Sequence, residues 1–582
     1  MEKIRDPFGG YQMNRNNAQP RLAGRRINVS LFLVTAFTLT FTLNAASPYD
    51  AKLAPDLRNL PAGALAEVIV QFRSTPANSD IADLEARGAR LRTRFRNIPA
   101  ALVALPPTAL DAVASLPVVK YVSPDRRIAG SLEYATPTVG GDIAFQSGWT
   151  GSGVGVAIVD SGVAGDHPDL KSRIVYSQNF VTREARSDDP YGHGTHVAGI
   201  VAGNATASYG PSYTRTFRGL APQAQIVNLR VLDSNGQGLD SEVINAIDRA
   251  IELKATYNIR VLNLSLGRTI RESYTLDPLC QAVRRAWQAG IVVVVAAGNN
   301  GRDDSMGTKG YATITSPANT PEAITVGAMR DMATASRSDD LIASYSSKGP
   351  TLIDHVVKPD LVAPGNTIVS ALAPNAVIKD RYPENVVPVS YYKFNSTGNT
   401  SNVYFRLSGT SMAAPIVSGA AALMIQRQAQ ITPDQVKARL MKTAIKAFPS
   451  SSTYTEPSTG QTYQTSYDLF TVGAGYLDIW AALNNNEASQ GTALSPTATY
   501  DPSTQATSVI VAPGSVWNNS IVWGTDAIWG DAVLTSGTAV VWGTSVVWGT
   551  STAEGFSVVW GTSIVWGTSQ PFPEVVSRRG DL

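Results

Sequence analysis

The chain has 582 residues, 43% of them hydrophobic and 16% charged. That is globular material, long enough for one large domain with smaller flanking pieces, and it excludes a generally disordered chain. Its net charge of +2 divides into 17 Lys/Arg against 11 Asp/Glu over residues 1–134 and 31 against 35 beyond, so a mildly acidic body offers no footprint for nucleic acid.

Cys280 is the single cysteine, which excludes an intrachain disulfide and a cysteine-built zinc or iron–sulfur site. In chain order, the first feature runs from Ile27 to Tyr49 without a charge. Arg25 and Arg26 precede its apolar VSLFLVTAFTLTFTL, and small residues NAAS follow at 44–47. The region 1–46 resembles a secretory signal, with a retained N-terminal anchor as the alternative; Met13 offers a later start than Met1. A secreted or cell-surface location is expected, and the lack of disulfides argues against dependence on oxidative folding.

Residues 50–134 form the next unit. LAEVIVQFR at 65–73 alternates as a strand, SDIADLEARGARL has a helical pattern, and ALVALPP, TALDAVASL and PVVKYVSPD complete a predicted βαββαβ unit. From about 150 the pattern changes to near-continuous apolar strands, among them GVGVAIVD, AQIVNLRVL, IRVLNLSLG, IVVVVAAGN and AITVGAM, separated by helical stretches. Such Val/Ile runs predict an α/β fold, a mostly parallel sheet with helices on both faces, with its chemistry at the carboxyl ends of strands. Cys280 falls in the helical stretch LDPLCQAVRRAWQ with no reactive partner nearby and reads as core. After residue 486 the composition shifts to Ser, Thr, Gly and Trp, and Ser-(Val/Ile)-Val-Trp-Gly-Thr units recur with Trp at 517, 523, 529, 542, 548, 560 and 566. An even period keeps each side-chain type on one face of a strand, so 486–582 reads as a β-rich tail of short stacked strands or a small solenoid.

Three segments end strands or open helices with reactive side chains. VAIVDSG puts Asp160 at a strand end, HGTHVAGIVAG opens a helix at His193, and SGTSMAAPIVSGAAALM starts another at Ser411, with Pro415 in its first turn. Asp, His and Ser could form a relay in which Ser attacks, His takes its proton and Asp orients the imidazole. The two histidines of HGTH could instead share a metal, but a zinc protease needs a third ligand and a Glu where this chain has Gly194.

Together with AAGN at 296–299, these segments resemble the subtilisin-like serine proteases over about 135–485. The resemblance implies a catalytic domain over 135–485, with Asp160, His193 and Ser411 as the triad and His196 left to packing or hydrogen bonding. It implies Asn299 and the Ser411 N–H as oxyanion donors. It further implies a substrate-binding strand at Ser265, Leu266 and Gly267, an opposing segment containing Gly236 and Gly238, and a pocket wall of Ala296, Ala297 and Gly298 with Thr315 near its floor. Protein or peptide substrates follow, and no cofactor is required for the chemistry. GNATASYGPSYTRTFRGLAP departs from the short Asn-rich loop that forms a strong calcium site in some relatives; structural calcium stays open at an unknown site, and Asp303 and Asp304 read as solvated loop carboxylates.

The 50–134 unit resembles the family's inhibitory pro-segment, which implies an intramolecular inhibitor released by self-cleavage near 127–136. The expected function is therefore that of a secreted serine endopeptidase made as a zymogen. Two alternatives are a peptide ligase or cyclase using the same acyl-enzyme and a surface adhesion protein with a degenerate protease body, against which the filled catalytic positions argue. The VWG repeats pack their own aromatics or contact a cell surface or insoluble polymer.

Overall fold

The computed structural model describes residues 52–54, 57, 65–95, 99–124, 134–396, 398, 401–457, 459–487, 489–501, 506–519, 533–535, 539–541, 572–573 and 581. The expected signal at 1–46, residues 125–133 and most of the VWG repeat lie outside the described residues. The chain divides into two compact units, Met1–Arg127 and Ile128–Leu582.

In the first unit β1 (Ala66–Phe72), a helix at Asn78–Glu85, β2 (Arg90–Arg94), β3 (Ala100–Leu105), a helix at Leu110–Ala114 and β4 (Val119–Pro124) follow one another. The sheet is antiparallel in the order β2-β3-β1-β4. Alternation along β1 turns Val68, Val70 and Phe72 inward, where they join Ile81 and Leu84, three apart on one helix face, and Val113 from the second helix.

The second unit is built on β5 (Gly155–Asp160), β6 (Ile174–Asn179), β7 (Gln225–Arg230), β8 (Ile259–Leu264), β9 (Leu266–Gly267), β10 (Val292–Ala296), β11 (Ile324–Arg330), β12 (Leu341–Ile342) and β13 (Leu361–Pro364). Its main sheet runs β12-β11-β10-β8-β5-β7-β6, with β13 beside β11. Every pairing in it is parallel except that of β12. All residues of β5 and β10 are buried. Because successive side chains point to opposite faces, both faces of the sheet are covered. The helices Asp240–Glu252 and Pro278–Gln288 pack together, as do His193–Ala202 and Thr410–Arg427. Strand β5 lies between β7 and β8: the chain passes from β5 to the edge strand β6, returns to β7 beside β5, and then crosses to β8 on the other side. The carboxyl end of β5, occupied by Asp160, is thus the switch point where open α/β sheets leave a crevice.

The packing of this core runs past residue 485, where composition places the start of the tail. Trp517 is buried, with its indole N–H donating to the Leu494 carbonyl at 2.7 Å. Asp360 forms buried ion pairs with Lys358 and Lys437, and the Ser495 hydroxyl joins them, donating to Asp360 at 2.5 Å and accepting from Lys437 at 2.8 Å. Ala493, Ala498, Val509, Val511, Val516 and Trp517 thus share the core of the large unit. Beyond them, Val533–Thr535 and Ala539–Val541 join Thr497–Asp501 and Ala506–Ile510 in one four-stranded sheet. Among the described residues no helix is long and apolar enough to cross a membrane.

Candidate active site

Asp160 and His193 come together from the end of β5 and the first residue of a helix. His193 Nδ1 lies 2.7 Å from Asp160 Oδ1, with both side chains fully buried. A carboxylate only accepts, so Nδ1 carries the proton and, in the neutral ring, Nε2 is the acceptor. Nε2 has no hydrogen-bond partner among the described residues. The Ser161 N–H also donates to Asp160 Oδ1, at 2.7 Å.

The local sequence permits this approach because two glycines remove side chains from it. A Cβ on Gly194 would sit 2.1 Å from the Gly162 carbonyl oxygen, and one on Gly162, whose φ is +114°, would sit 2.1 Å from that of Asp188. A glutamate at 194, as a zinc protease needs, cannot be accommodated against Gly162. Sequence reading missed the brace beneath the histidine: Asp189, fully buried, accepts from Ser161 Oγ at 2.8 Å, Gly192 N at 2.6 Å and Thr195 N at 2.7 Å. Burial raises the Asp189 carboxyl above the ordinary range despite these donors. His196 stands apart from the chemistry. Its Nε2 lies 3.1 Å from the carbonyls of Ile368 and Phe405, and burial, aided by nearby His193, pushes it down to about 3.

Ser411 is the second residue of the Thr410–Arg427 helix, and Pro415 is the sixth rather than a first-turn residue. Proline has no N–H, so the Ser411 carbonyl lacks the helical donor four residues on. Ser265 supplies it: Ser265 Oγ donates to Ser411 O at 2.9 Å, and Ser411 Oγ donates back to Ser265 O at 3.1 Å. Asn263 Nδ2 donates to Ser265 Oγ at 2.9 Å, while Ser418 Oγ donates to Asn263 Oδ1 at 2.8 Å. These partners are 146 residues apart, and no local pattern announces them.

Asn299 follows β10 and is fixed beside the nucleophile, its Oδ1 accepting from the Thr410 N–H at 2.9 Å. Ala296 ends β10, the Ala297 carbonyl accepts from Thr315 N at 3.1 Å, and a Cβ on Gly298 would meet Thr315 Cγ2 at 2.9 Å and Ser347 Oγ at 2.7 Å. Thr315 therefore faces Gly298 at close range. Leu266 and Gly267 form β9, which pairs antiparallel with Phe572–Pro573. Gly236, at φ +78°, packs on the Tyr191 ring, and Gly238 sits against the Val231 carbonyl, in a loop where Asp233 accepts from the N–H groups of Asn235 and Gln237. Arg268 ties the end of β9 to the helix after that loop by two 3.0 Å bonds to Asp240. Cys280 is buried and inert, its thiol pushed up to about 12 by burial and the Asp277 charge.

Among the described residues no group of three or more His, Cys, Asp or Glu side chains is arranged to hold a metal ion. Asp303 and Asp304 instead accept from the backbone N–H groups of Ser305 and Lys309.

The model of the subtilase family matches residues 151–475, more than half of the chain and a span containing Asp160, His193, Asn299 and Ser411. The chain belongs to the subtilase family. It is a serine endopeptidase of the subtilisin type. It is similar to "Serine protease AprX" of Bacillus subtilis (strain 168), 37% identical over 361 residues, which cover 60% of this chain and 75% of that protein. "Subtilisin E" of the same organism is 33% identical over 420 residues, 71% of this subtilase and 92% of the relative. A crystal structure of a cold-adapted subtilisin-like serine proteinase is 29% identical and covers 56% of this chain and 89% of its own, with a TM-score of 0.38.

Proposed function

We propose that this subtilase cleaves peptide bonds through an acyl-enzyme formed on Ser411, with His193 as base and Asp160 as its orienting partner. The observation that carries the reading is the 2.7 Å bond fixing the His193 tautomer while Nε2 has no partner among the described residues and the Ser411 hydroxyl rests on a carbonyl oxygen. The reaction requires the Ser411 hydroxyl to turn from that carbonyl to Nε2. As Oγ attacks the scissile carbonyl, its proton passes to Nε2 and then to the leaving amine; water enters by the same route to release the acyl group. Asn299 Nδ2 and the Ser411 N–H are the donors for the developing oxyanion, with the amide turned by the bond from Thr410 to its Oδ1. Substrate lies extended along Ser265, Leu266 and Gly267, with Ala296, Ala297, Gly298 and Thr315 around the side chain before the scissile bond. These roles need no metal, and calcium enters this reading only as a structural ion.

The precursor reading extends this to maturation. Residues 50–134 act as an intramolecular inhibitor, the enzyme is exported, and the VWG repeat past residue 519 contacts a cell surface or polymer. Support comes from the uncharged 27–49 stretch, the separate compact unit ending at Arg127 and the recurring Trp-Gly units. The test is Ser411→Ala expressed in a protease-deficient host. It accumulates uncut between residues 127 and 136, as read by N-terminal sequencing; normal processing of that variant would show that another protease matures the chain.

A further inference from the structure

The edge strand read above as the substrate site already has a partner within the same unit. β9 pairs antiparallel with a strand at Phe572–Pro573, in the register Phe572 to Gly267 and Pro573 to Leu266. In an antiparallel ladder, directly opposed residues alternate between pairs that exchange both hydrogen bonds and pairs that exchange none. Pro573 has no N–H, so its pair with Leu266 is the non-bonded kind and Phe572 with Gly267 is the bonded kind. The polarity is also informative. Moving from Phe572 to Pro573 moves from Gly267 toward Ser265, whose carbonyl accepts from Ser411 Oγ. Phe572–Pro573 thus runs along β9 toward Ser265 in the amino-to-carboxyl direction, as the acyl half of a peptide substrate must.

A second contact is made by Asp581. Asp581 is 2% exposed and its carboxylate accepts from Ser344 N at 2.6 Å, Ser344 Oγ at 2.8 Å and Arg302 Nη2 at 2.6 Å. Its backbone is read as well: the Asp581 N–H donates to Asn366 Oδ1 at 2.9 Å, and Asn366 Nδ2 donates to the Asp581 carbonyl at 2.8 Å. One side-chain amide matching both main-chain groups of one residue recognises a peptide strand rather than a free anion. Arg302 is set for this role by Glu456 at 2.9 Å and by the rings of Tyr454 and Tyr463, each 5.0 Å from the guanidinium carbon. It lies three residues after Asn299, so this anchor belongs to the loop that carries the expected oxyanion donor.

We propose that this chain carries a cis-acting, substrate-like inhibitor of its own, made by Phe572–Pro573 pairing with β9 and by Asp581 clamped by Arg302, Ser344 and Asn366. The proposal rests on the serine-protease reading of the site and on β9 as its substrate edge. The occupant is this chain's own segment, so inhibition is independent of enzyme concentration.

The test compares the intact chain, its C-terminus verified by mass, with Asp581→Asn and with a chain lacking residues 571–582. Peptide hydrolysis and the rate of fluorophosphonate labelling are followed in each. Loss of docking lowers KM at least threefold with kcat unchanged and speeds labelling by a similar factor, more for the deletion than for Asp581→Asn. A synthetic peptide of residues 570–582 then inhibits the shortened enzyme competitively, and its Asp581→Asn version does so at least tenfold more weakly. Should the shortened chain not fold, the Asp581→Asn chain and the peptide pair decide. Equal KM and equal labelling rates in intact and Asp581→Asn chains, no competition by the peptide, or inhibition that grows with enzyme concentration overturns the proposal. Failure of every form to label overturns the serine-protease reading instead, so the two failures are distinct.

Discussion

Replacing Ser265 by alanine removes a hydroxyl that serves two buried partners. Ser265, Ser411 and Asn263 are each 0% exposed, so water cannot replace the bond to the Ser411 carbonyl or the one from Asn263 Nδ2. An orphaned buried polar group costs about 1–3 kcal/mol, so the two together cost roughly 2–6 kcal/mol. A domain spanning 151–475 has an unfolding entropy of about 0.7 kcal/mol/K, so each kcal/mol lowers the melting temperature by about 1.5 °C. Ser265→Ala should therefore melt roughly 3–9 °C lower by scanning calorimetry, with both proteins carrying His193→Ala to prevent self-digestion. Pro415→Ala supplies the helical N–H that the Ser411 carbonyl lacks. Added to Ser265→Ala it should recover about half the loss, the share owed to the carbonyl, while the Asn263 amide stays unsatisfied. A Ser265→Ala protein melting with its parent, or one that Pro415→Ala does not rescue, would show that the reciprocal serine pair is not what holds the nucleophile helix.

Asn299→Ala should lower kcat by about 10²–10³, the loss recorded for the corresponding donor of subtilisin, while KM moves little; a large rise in KM at preserved kcat makes Asn299 a binding residue. Truncation after residue 519 should preserve kcat on a small peptide and release protein from cells or polymer. Truncation after 490 strips Ser495 and buried Trp517 from the core, where loss of a Trp side chain alone costs about 3–5 kcal/mol, and should yield unstable protein. Asp340 is 3% exposed, and burial with the nearby charges of Asp331 and Asp339 pushes its carboxyl up to about 7 from 3.8. As pH rises from 3.8 to 7 the unfolded chain releases this proton first, so this group lowers stability across that window and its full cost remains above it. Asp340→Asn should accordingly flatten the fall in melting temperature over that range and raise it at pH 8; equal loss at acid and alkaline pH refutes this.

Much of the large unit was legible because its determinants are local. The Val/Ile runs of β5 and β10 need burial on both faces, and a parallel sheet covered by helices provides it. Gly194 argued against zinc from type alone, and the 2.1 Å approach to Gly162 gives the physical reason. What the sequence hid depends on partners far apart in the chain. Asp189 carries no local sign of its role, which rests on its bonds to Ser161, Gly192 and Thr195. Pro415 reads as a first-turn proline, but the helix begins earlier, so its missing N–H acquires a consequence that only Ser265 meets. Composition changes near 486, but it carries no sign that Ser495 and Trp517 meet Asp360 and Leu494 in the core. The pairing of β9 with Phe572–Pro573 joins segments about 300 residues apart, and neither carries a local sign of the other.

The most direct measurement of the central claim is covalent labelling with a fluorophosphonate, mapped by peptide mass spectrometry in the parent and in Asp160→Ala and His193→Ala. Ser411 should carry the label in the parent, and both substitutions should slow labelling by at least about 100-fold, because the proton acceptor and its orienting carboxylate act as a unit. Label on another residue, or undiminished labelling without His193, would contradict the account.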